Sequence, residues 1–397
     1  MHTIKRLMQC VREYKLPSFL SPLFITGEVV IECLIPFITA KLIDNIQDGC
    51  DMNIIGKYGL ILVIMAICSL ACGAFAGHFC AVASCGFAKN LRHDLFYTVQ
   101  NYSFSNIDKF SSSSLVTRLT TDVTNVQNSY MMIIRTAIRS PLMLVFSIVM
   151  TINLSPKLTT AFVALIPFLA VGLVLMLKMV MPLFKSIFKR YDAMNNSVQE
   201  NVAGIRAVKS FVREDYENKK FGKASDNVCA DFTKAEKLMA LTNPLVSAAI
   251  YVIMLTVFYF GAKIIVSTGG TELKVGGLSA MLTYGMQILM SLLMLSMTMV
   301  MISMSFASAN RIVEVLEEGS TIKNSENPVY EVENGSIDFE NVSFAYSEKA
   351  SVPTLRNINF HIDSGETIGI IGGTGSSKTT LIQLISRLYD VTDGSVK

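Results

Sequence analysis

Between Gly372 and Thr380 the chain reads GGTGSSKTT, a run of small residues closed by a lysine and two hydroxyls. Residues of these types at this spacing suit the binding of phosphate. Small residues let successive backbone N–H groups turn inward, and a following helix adds its positive N-terminal end. Lys378 then brings a point charge to the outer phosphates, and the Thr379 hydroxyl is a ligand for Mg²⁺. Gly372 fits the first glycine of Gly-x-x-x-x-Gly-Lys-[Ser/Thr], but Ser377 stands where the second belongs. If the backbone there needs a positive φ, serine costs about 1–2 kcal/mol of local strain. The bland reading of the same run is a plain glycine-rich turn, so the surrounding elements must decide.

The run lies in Thr367 to Leu388, TIGIIGGTGSSKTTLIQLISRL. The β-branched stretch Ile368 to Ile371 is expected to be a buried strand feeding the loop. Leu381, Leu384, Ile385 and Leu388 mark the apolar stripe of a helix leaving it. From Ser336, alternation predicts strands in SIDFENVSFAY and TLRNINFHI, with Asp363 to Glu366 as a turn and Asp393 to Lys397 opening another strand. The polar stretch Gly319 to Glu333 reads as a linker. About 60 residues follow it, too few for a complete α/β nucleotide-binding domain.

The rest of the chain belongs to a different solvent. Of 397 residues, 51% are hydrophobic and 16% charged, with no Trp, whereas soluble domains carry roughly 25% charged residues. A membrane-crossing helix needs about 20 apolar residues. Candidate spans are Ser18–Ile43, Tyr58–Cys85, Ser140–Leu154, Leu158–Met181, Leu241–Val266 and Leu278–Phe306, the third extended backwards through Arg135 and Arg139. Segments 1–17, 86–139 and 182–240 hold most of the Lys and Arg, which places both termini and the two long segments in the cytoplasm; the expected location is the plasma membrane, multi-pass. Met1 to Lys15 is expected to lie on the membrane surface as an amphipathic helix. Helical periodicity continues out of the spans through Cys85–Tyr102 and Phe184–Val212. A helix from Tyr58 to Tyr102 is about 68 Å long, so roughly half of it projects beyond the hydrocarbon. The eight cysteines lie mostly in apolar runs without His at zinc spacing, and read as small core thiols. Net charge is only +3, and no nucleic-acid partner is expected.

Taken together these pieces resemble the ABC exporter half-transporters of bacterial multidrug and lipid type. The match runs over essentially the whole chain. VSFAYS at 342–347 is similar to the segment whose aromatic stacks on adenine. LVTRLTTDV at 115–123 and SVQENVAGIRAVKSFVRED at 197–215 resemble the two cytoplasmic coupling segments. ASANRIVEVL at 307–316 resembles the close of the sixth span, and RLYDVTDGSV at 387–396 the stretch after the phosphate-loop helix.

The resemblance implies a fold: an α-helical polytopic membrane domain of six transmembrane helices with long cytoplasmic extensions, then an incomplete α/β P-loop ATP-binding domain. The expected divisions are an interfacial helix 1–17, the membrane domain 18–310, a linker 311–334 and the ATP-binding region 335–397. It also implies ATP-driven efflux by alternating access, with two half-transporters, identical or different, in a lipid bilayer. The substrate is a small molecule, lipid or peptide. Gly372, Gly373, Thr374, Gly375, Ser376, Ser377 and Lys378 take the phosphate-cradle positions, Thr379 the Mg²⁺ position, Thr380 a further phosphate contact and Tyr346 the adenine stack. The family's hydrolytic residues lie downstream of Lys397, so the resemblance implies that these residues are part of a longer chain and that ATP is bound but not cleaved by them alone. Ser377 also keeps open a non-catalytic partner half, and a membrane-anchored P-loop ATPase with a signalling role is the alternative from another class. Ser111 to Ser114 departs from the basic stretch ending in glycine that is usual in the first coupling segment.

Glu28 and Glu32 lie four residues apart on one face of the first span. A carboxylate at the bilayer centre costs about 3 kcal/mol and calls for a partner or a water-filled cavity. Attraction of a cationic substrate is one reading and a helix–helix polar contact the preferred one. Arg118, Asp122, Arg206 and Lys209 can be read as a binding patch, and equally as solvated faces or inter-domain contacts.

Overall fold

The computed structural model describes residues 2–324, 328, 331–332, 334–347 and 352–397, with the backbone alone at 165, 173, 177, 185, 188 and 189. Its helices are α1 (His2–Met8), α2 (Lys15–Gln47), α3 (Met52–Gln100), α4 (Phe104–Phe110), α5 (Ser112–Thr117), α6 (Val123–Leu154), α7 (Pro156–Ala203), α8 (Ile205–Ser210), α9 (Glu214–Met239), α10 (Thr242–Thr268), α11 (Val275–Glu317) and α12 (Lys378–Ile385). Three strands follow the helical part: β1 (Ile337–Phe344), β2 (Leu355–Ile362) and β3 (Asp393–Val396). Among the described residues, helices long and apolar enough to cross a membrane number six, each containing one expected span. The chain divides into two compact units. One gathers Met1–Lys15, Val82–Tyr130 and Ser303–Lys397, the other Leu16–Ala81 and Met131–Ile302.

The second unit is a helical membrane domain. Apolar residues cover its helices on most sides, so many face outward: Leu60, Ile64 and Leu70 on α3 are 62%, 51% and 74% exposed. Such faces are stable only against lipid or another apolar surface. Its interior is packed from Phe162, Leu169, Ile253, Met281, Ile288 and Leu289 of α7, α10 and α11. Two small residues set close helix contacts. A Cβ at Gly276 would run into the Ala40 carbonyl, so α11 starts against α2, where the Gly276 N–H donates to Asp44 Oδ1 at 2.7 Å. A Cβ at Gly73 would press on the Glu28 carboxylate at 3.2 Å.

The first unit carries the extended helix ends and the sheet. Strand order is β2-β1-β3, antiparallel throughout. Phe339 of β1 faces Phe360 of β2 and Val396 of β3, and the two phenyl rings stack with centroids 4.4 Å apart. The apolar stripe of α12 closes the other side of this core, with Leu384 buried beside Val342, Phe344, Leu355 and Tyr389. Helix α12 ends at Ile385 because Arg387 takes φ 51° and the Leu388 N–H returns to the Gln383 carbonyl at 2.9 Å. This is the left-handed cap that commonly stops a helix.

Three expectations fail here. Ile368 to Ile371 forms no strand, and Ile368, Ile370 and Ile371 are 45%, 41% and 98% exposed. Among the described residues no strand pairs with this segment, so it has neither ladder nor cover, and β propensity alone does not supply them. The first fifteen residues are not one amphipathic helix. Arg12 adopts φ 40°, breaking the helix between Met8 and Lys15. Leu7, Cys10 and Val11 are buried, and Asn90 of α3 donates to the Cys10 carbonyl at 3.0 Å while Arg12 pairs with Asp94 at 2.9 Å. Burial, then the Asp94 carboxylate, push the Cys10 thiol up to about 11. The seven residues from Arg311, set aside as linker, continue α11 to Glu317. Part of the remaining linker lies outside the described residues.

Candidate functional site

The glycine-rich run forms a loop that turns directly into α12. Gly375 has φ 84° and Ser377, the residue before the helix, has φ 60° and ψ 25°. The left-handed conformation expected at the second glycine position is therefore present, with serine bearing it. A Cβ at Gly373 would meet nothing within 4 Å, whereas one at Gly372 would press on Ser376 Oγ at 2.6 Å. The loop thus leaves open space beside Gly373. The Lys378 ammonium folds over it, donating to the carbonyls of Gly372 at 2.8 Å and Gly373 at 2.7 Å and to Ser376 Oγ at 3.2 Å. Lys378 to Thr380 open the helix, where N–H groups have no acceptor in a preceding turn. These residues fit a polyphosphate: an open backbone loop, a helix N-terminus and an ammonium converge on one place.

Thr379 is exposed at this rim, while Thr380 is buried. The Thr380 hydroxyl shares a hydrogen bond of 2.9 Å with the Tyr346 hydroxyl, which also donates to Gln383 Oε1 at 3.1 Å. Tyr346 therefore stands beside the first turn of α12, half exposed, with its ring edge-on to Phe344 at 4.9 Å and to Tyr389 at 5.3 Å.

Sequence reasoning missed what Tyr389 does. Its hydroxyl donates to Asp108 Oδ2 of α4 at 2.7 Å, and its ring lies 6.1 Å from that of Phe104. Burial, then the Asp108 carboxylate, push the phenol up to about 12. A chain of contacts thus runs from the loop helix through Thr380, Tyr346 and Tyr389 to α4. Helix α4 is in turn anchored to the end of α11: Lys109 pairs with Glu318 at 2.8 Å, and Asn106 donates to the Gly319 carbonyl at 3.1 Å. Ser111, the residue between α4 and α5, has φ 58°. Serine again occupies a conformation that glycine adopts freely.

The segment 115–123 is fastened beside it. Arg118 to Asp122 forms a single π-helical turn. Arg118 donates to the Arg311 carbonyl at 2.7 Å, pairs with Glu314 at 2.9 Å and lies over the Phe110 ring at 4.8 Å. Buried Asp122 accepts from Arg311 Nε at 2.8 Å. Arg118 and Asp122 are therefore buried in contacts within one unit, neither on a solvated face nor between domains. Lys209 pairs locally with Glu214 at 3.0 Å.

In the membrane domain, Arg139 of α6 reaches both carboxylates of α2, Glu28 at 2.6 Å and Glu32 at 2.7 Å. This is the helix–helix contact preferred for the two glutamates. The available signal was that Glu28 with Glu32, and Arg135 with Arg139, are each spaced one helical turn apart.

Comparison with known proteins agrees with this layout. Residues 18–308 match the ABC transporter transmembrane region, and residues 355–397 match the ABC transporter domain. The uncharacterized ABC transporter ATP-binding protein YfiB of Bacillus subtilis is 33% identical over 99% of this chain and 68% of its own length. YknU of the same organism, with the same description, is 28% identical over 100% of this chain and 67% of its own. The chain therefore spans about two thirds of the length of these relatives.

Proposed function

The chain belongs to the ABC transporters, and we propose that it serves as one half of an exporter that moves a drug-like, lipid or peptide substrate outward at the expense of ATP. The observation that carries this reading is the phosphate cradle joined by Thr380, Tyr346 and Tyr389 to Asp108 of α4. Such a path gives nucleotide binding a mechanical outlet toward the helix ends. The Gly372–Ser377 backbone and Lys378 hold the phosphates, Thr379 offers its hydroxyl to Mg²⁺, Thr380 is a further phosphate contact, and Tyr346 presents its ring to adenine. ATP bound between two halves supplies the energy for closure. In this complex the phosphate oxygens compete with the Gly372 and Gly373 carbonyls for the three donors of the Lys378 ammonium.

The divisions that follow are a membrane domain over 18–310 and an ATP-binding region over 335–397, with both termini cytoplasmic. Residues Val202 to Ser210, which include the α7–α8 junction at Gly204, dock on an ATP-binding region; where the two halves exchange domains, as in the ABC exporters the chain resembles, that region is the partner's. Disulfide trapping between a cysteine at Gly204 and one in that region tests the arrangement. Cross-links joining two chains support it, and cross-links within one chain contradict the exchange.

A second reading is favoured by Ser377. A serine in the left-handed position alters how closely the backbone approaches a phosphate, as in a half that binds ATP while its partner hydrolyses it. Transport separates the alternatives from a signalling ATPase. Inside-out vesicles carrying the native protein should accumulate a fluorescent amphiphile on ATP addition, and Lys378→Ala should abolish this. Equal accumulation by the variant would end the proposal.

A further inference from the structure

Two adjoining cavities open within the membrane domain, of about 490 and 550 Å³, each within the range of sites for drug-sized ligands. Their linings differ in kind. The first is apolar and rich in thioethers, with Met176, Val180, Met239, Leu293, Met297 and Met301. The second also has thioethers, from Met143, Met286 and Met290, but adds Arg135, Arg139, Ser140, Gln287 and Ser291. Thr136 and Met294 line both, so the two form lobes of one site. One lobe is apolar and adaptable, because unbranched thioether side chains repack around different shapes. The other carries charge.

The sign of that charge follows from the pairing. Arg139 already holds both Glu28 and Glu32, and those carboxylates line neither lobe. Among the described residues no carboxylate faces either cavity. Arg135, one helical turn away, is exposed and makes no ion pair or hydrogen bond with the described residues. A guanidinium on a spanning helix calls for water or an anion, and here it borders a lobe furnished with hydroxyl and amide groups.

We infer that this two-lobed site binds an amphipathic anion, with the charged head at Arg135 and the apolar body among the methionines. The inference rests on the reading of the chain as a transporter half and names the substrate class. A fatty acid, a phospholipid-like acid and an anionic drug share this chemistry.

The test uses the full chain in phosphatidylcholine nanodiscs without nucleotide, with empty discs as the blank. Radiolabelled dodecyl phosphate and dodecyltrimethylammonium are the probes. The anion should bind about tenfold more tightly than the cation, and Arg135→Gln should erase that preference by weakening anion binding without weakening cation binding. Arg135→Lys should retain most of it, which guards against loss by misfolding. Met297→Asn should weaken both probes alike. Equal binding of anion and cation by the native chain, or anion binding unaltered in Arg135→Gln, would overturn the inference. Potassium laurate then distinguishes carboxylate from phosphate ligands: binding equal to that of dodecyl phosphate supports a general anion site, and absence of laurate binding overturns its extension to fatty acids. Because no variant touches the phosphate loop, failure of ATP-driven transport with this binding intact would count against the transporter reading alone.

Discussion

The hydroxyl of Tyr389 donates to the Asp108 carboxylate at 2.7 Å, across 281 residues of sequence. The same ring stands edge-on to Tyr346, whose hydroxyl meets Thr380 in the phosphate-loop helix. One aromatic residue therefore touches both the candidate ATP site and α4. A partly buried hydrogen bond to a charged acceptor contributes about 1.5–3 kcal/mol. A double-mutant cycle of Tyr389→Phe and Asp108→Asn should return a coupling energy of about 1 kcal/mol or more in thermal unfolding. Strictly additive effects would show that the bond holds nothing together.

Ser377 bears φ 60°, a conformation that costs a residue with a Cβ about 1–2 kcal/mol. Ser377→Gly should therefore stabilise the chain by about 0.5–1 kcal/mol net of the added backbone entropy, whereas Ser377→Ala should not. Melting temperatures of the three proteins decide the matter. If the alanine variant gained as much as the glycine variant, backbone strain would not be the cause. Ser111→Gly, at φ 58°, should behave in the same direction.

The Glu28–Arg139–Glu32 cluster predicts an asymmetry. Arg139→Gln leaves two carboxylates together with no cation and should cost about 3–5 kcal/mol. Glu28→Gln leaves the Arg139–Glu32 pair intact and should cost appreciably less. Unfolding of the variants in a mild detergent should rank them in this order. Equal losses would mean that the second carboxylate is essential to the pair.

His361 lies opposite Asp338 in the β1–β2 register and within 3.2 Å of Asp363. Hydrogen bonds to Asp338 first, then Asp363, raise its pKa above the ordinary 6.5. The charged form is the one favoured by folding, so its contribution is complete below about pH 6.5 and is lost as pH rises through the higher folded value. Amide exchange in β1 and β2 should accelerate over that window beyond the intrinsic pH effect, and His361→Gln should remove the extra dependence. An unchanged profile in the variant would show that the imidazolium has no part in it.

What the sequence disclosed depended on how local each signal was. The spans are written in uninterrupted apolar runs such as Tyr58–Cys85, and β1 and β2 in period-two alternation. The phosphate loop is written in nine consecutive residues. Ile368–Ile371 misled because a strand requires a neighbour, and its apolar composition says nothing about whether one is present. The partner of Glu28 lies 111 residues away and that of Tyr389 lies 281 away. Each residue announces only that it wants a partner. The break at Arg12 has no glycine or proline to mark it and goes with the contacts that Cys10 and Arg12 make to Asn90 and Asp94 of α3.

The central claim is that Gly372–Thr380 holds the phosphates of ATP, and equilibrium binding of a fluorescent ATP analogue to the full chain in nanodiscs measures it directly. Displacement by unlabelled ATP, with affinity falling at least about tenfold in Lys378→Ala and only the adenine-dependent part lost in Tyr346→Ala, is the predicted result. Native affinity in Lys378→Ala would contradict the account.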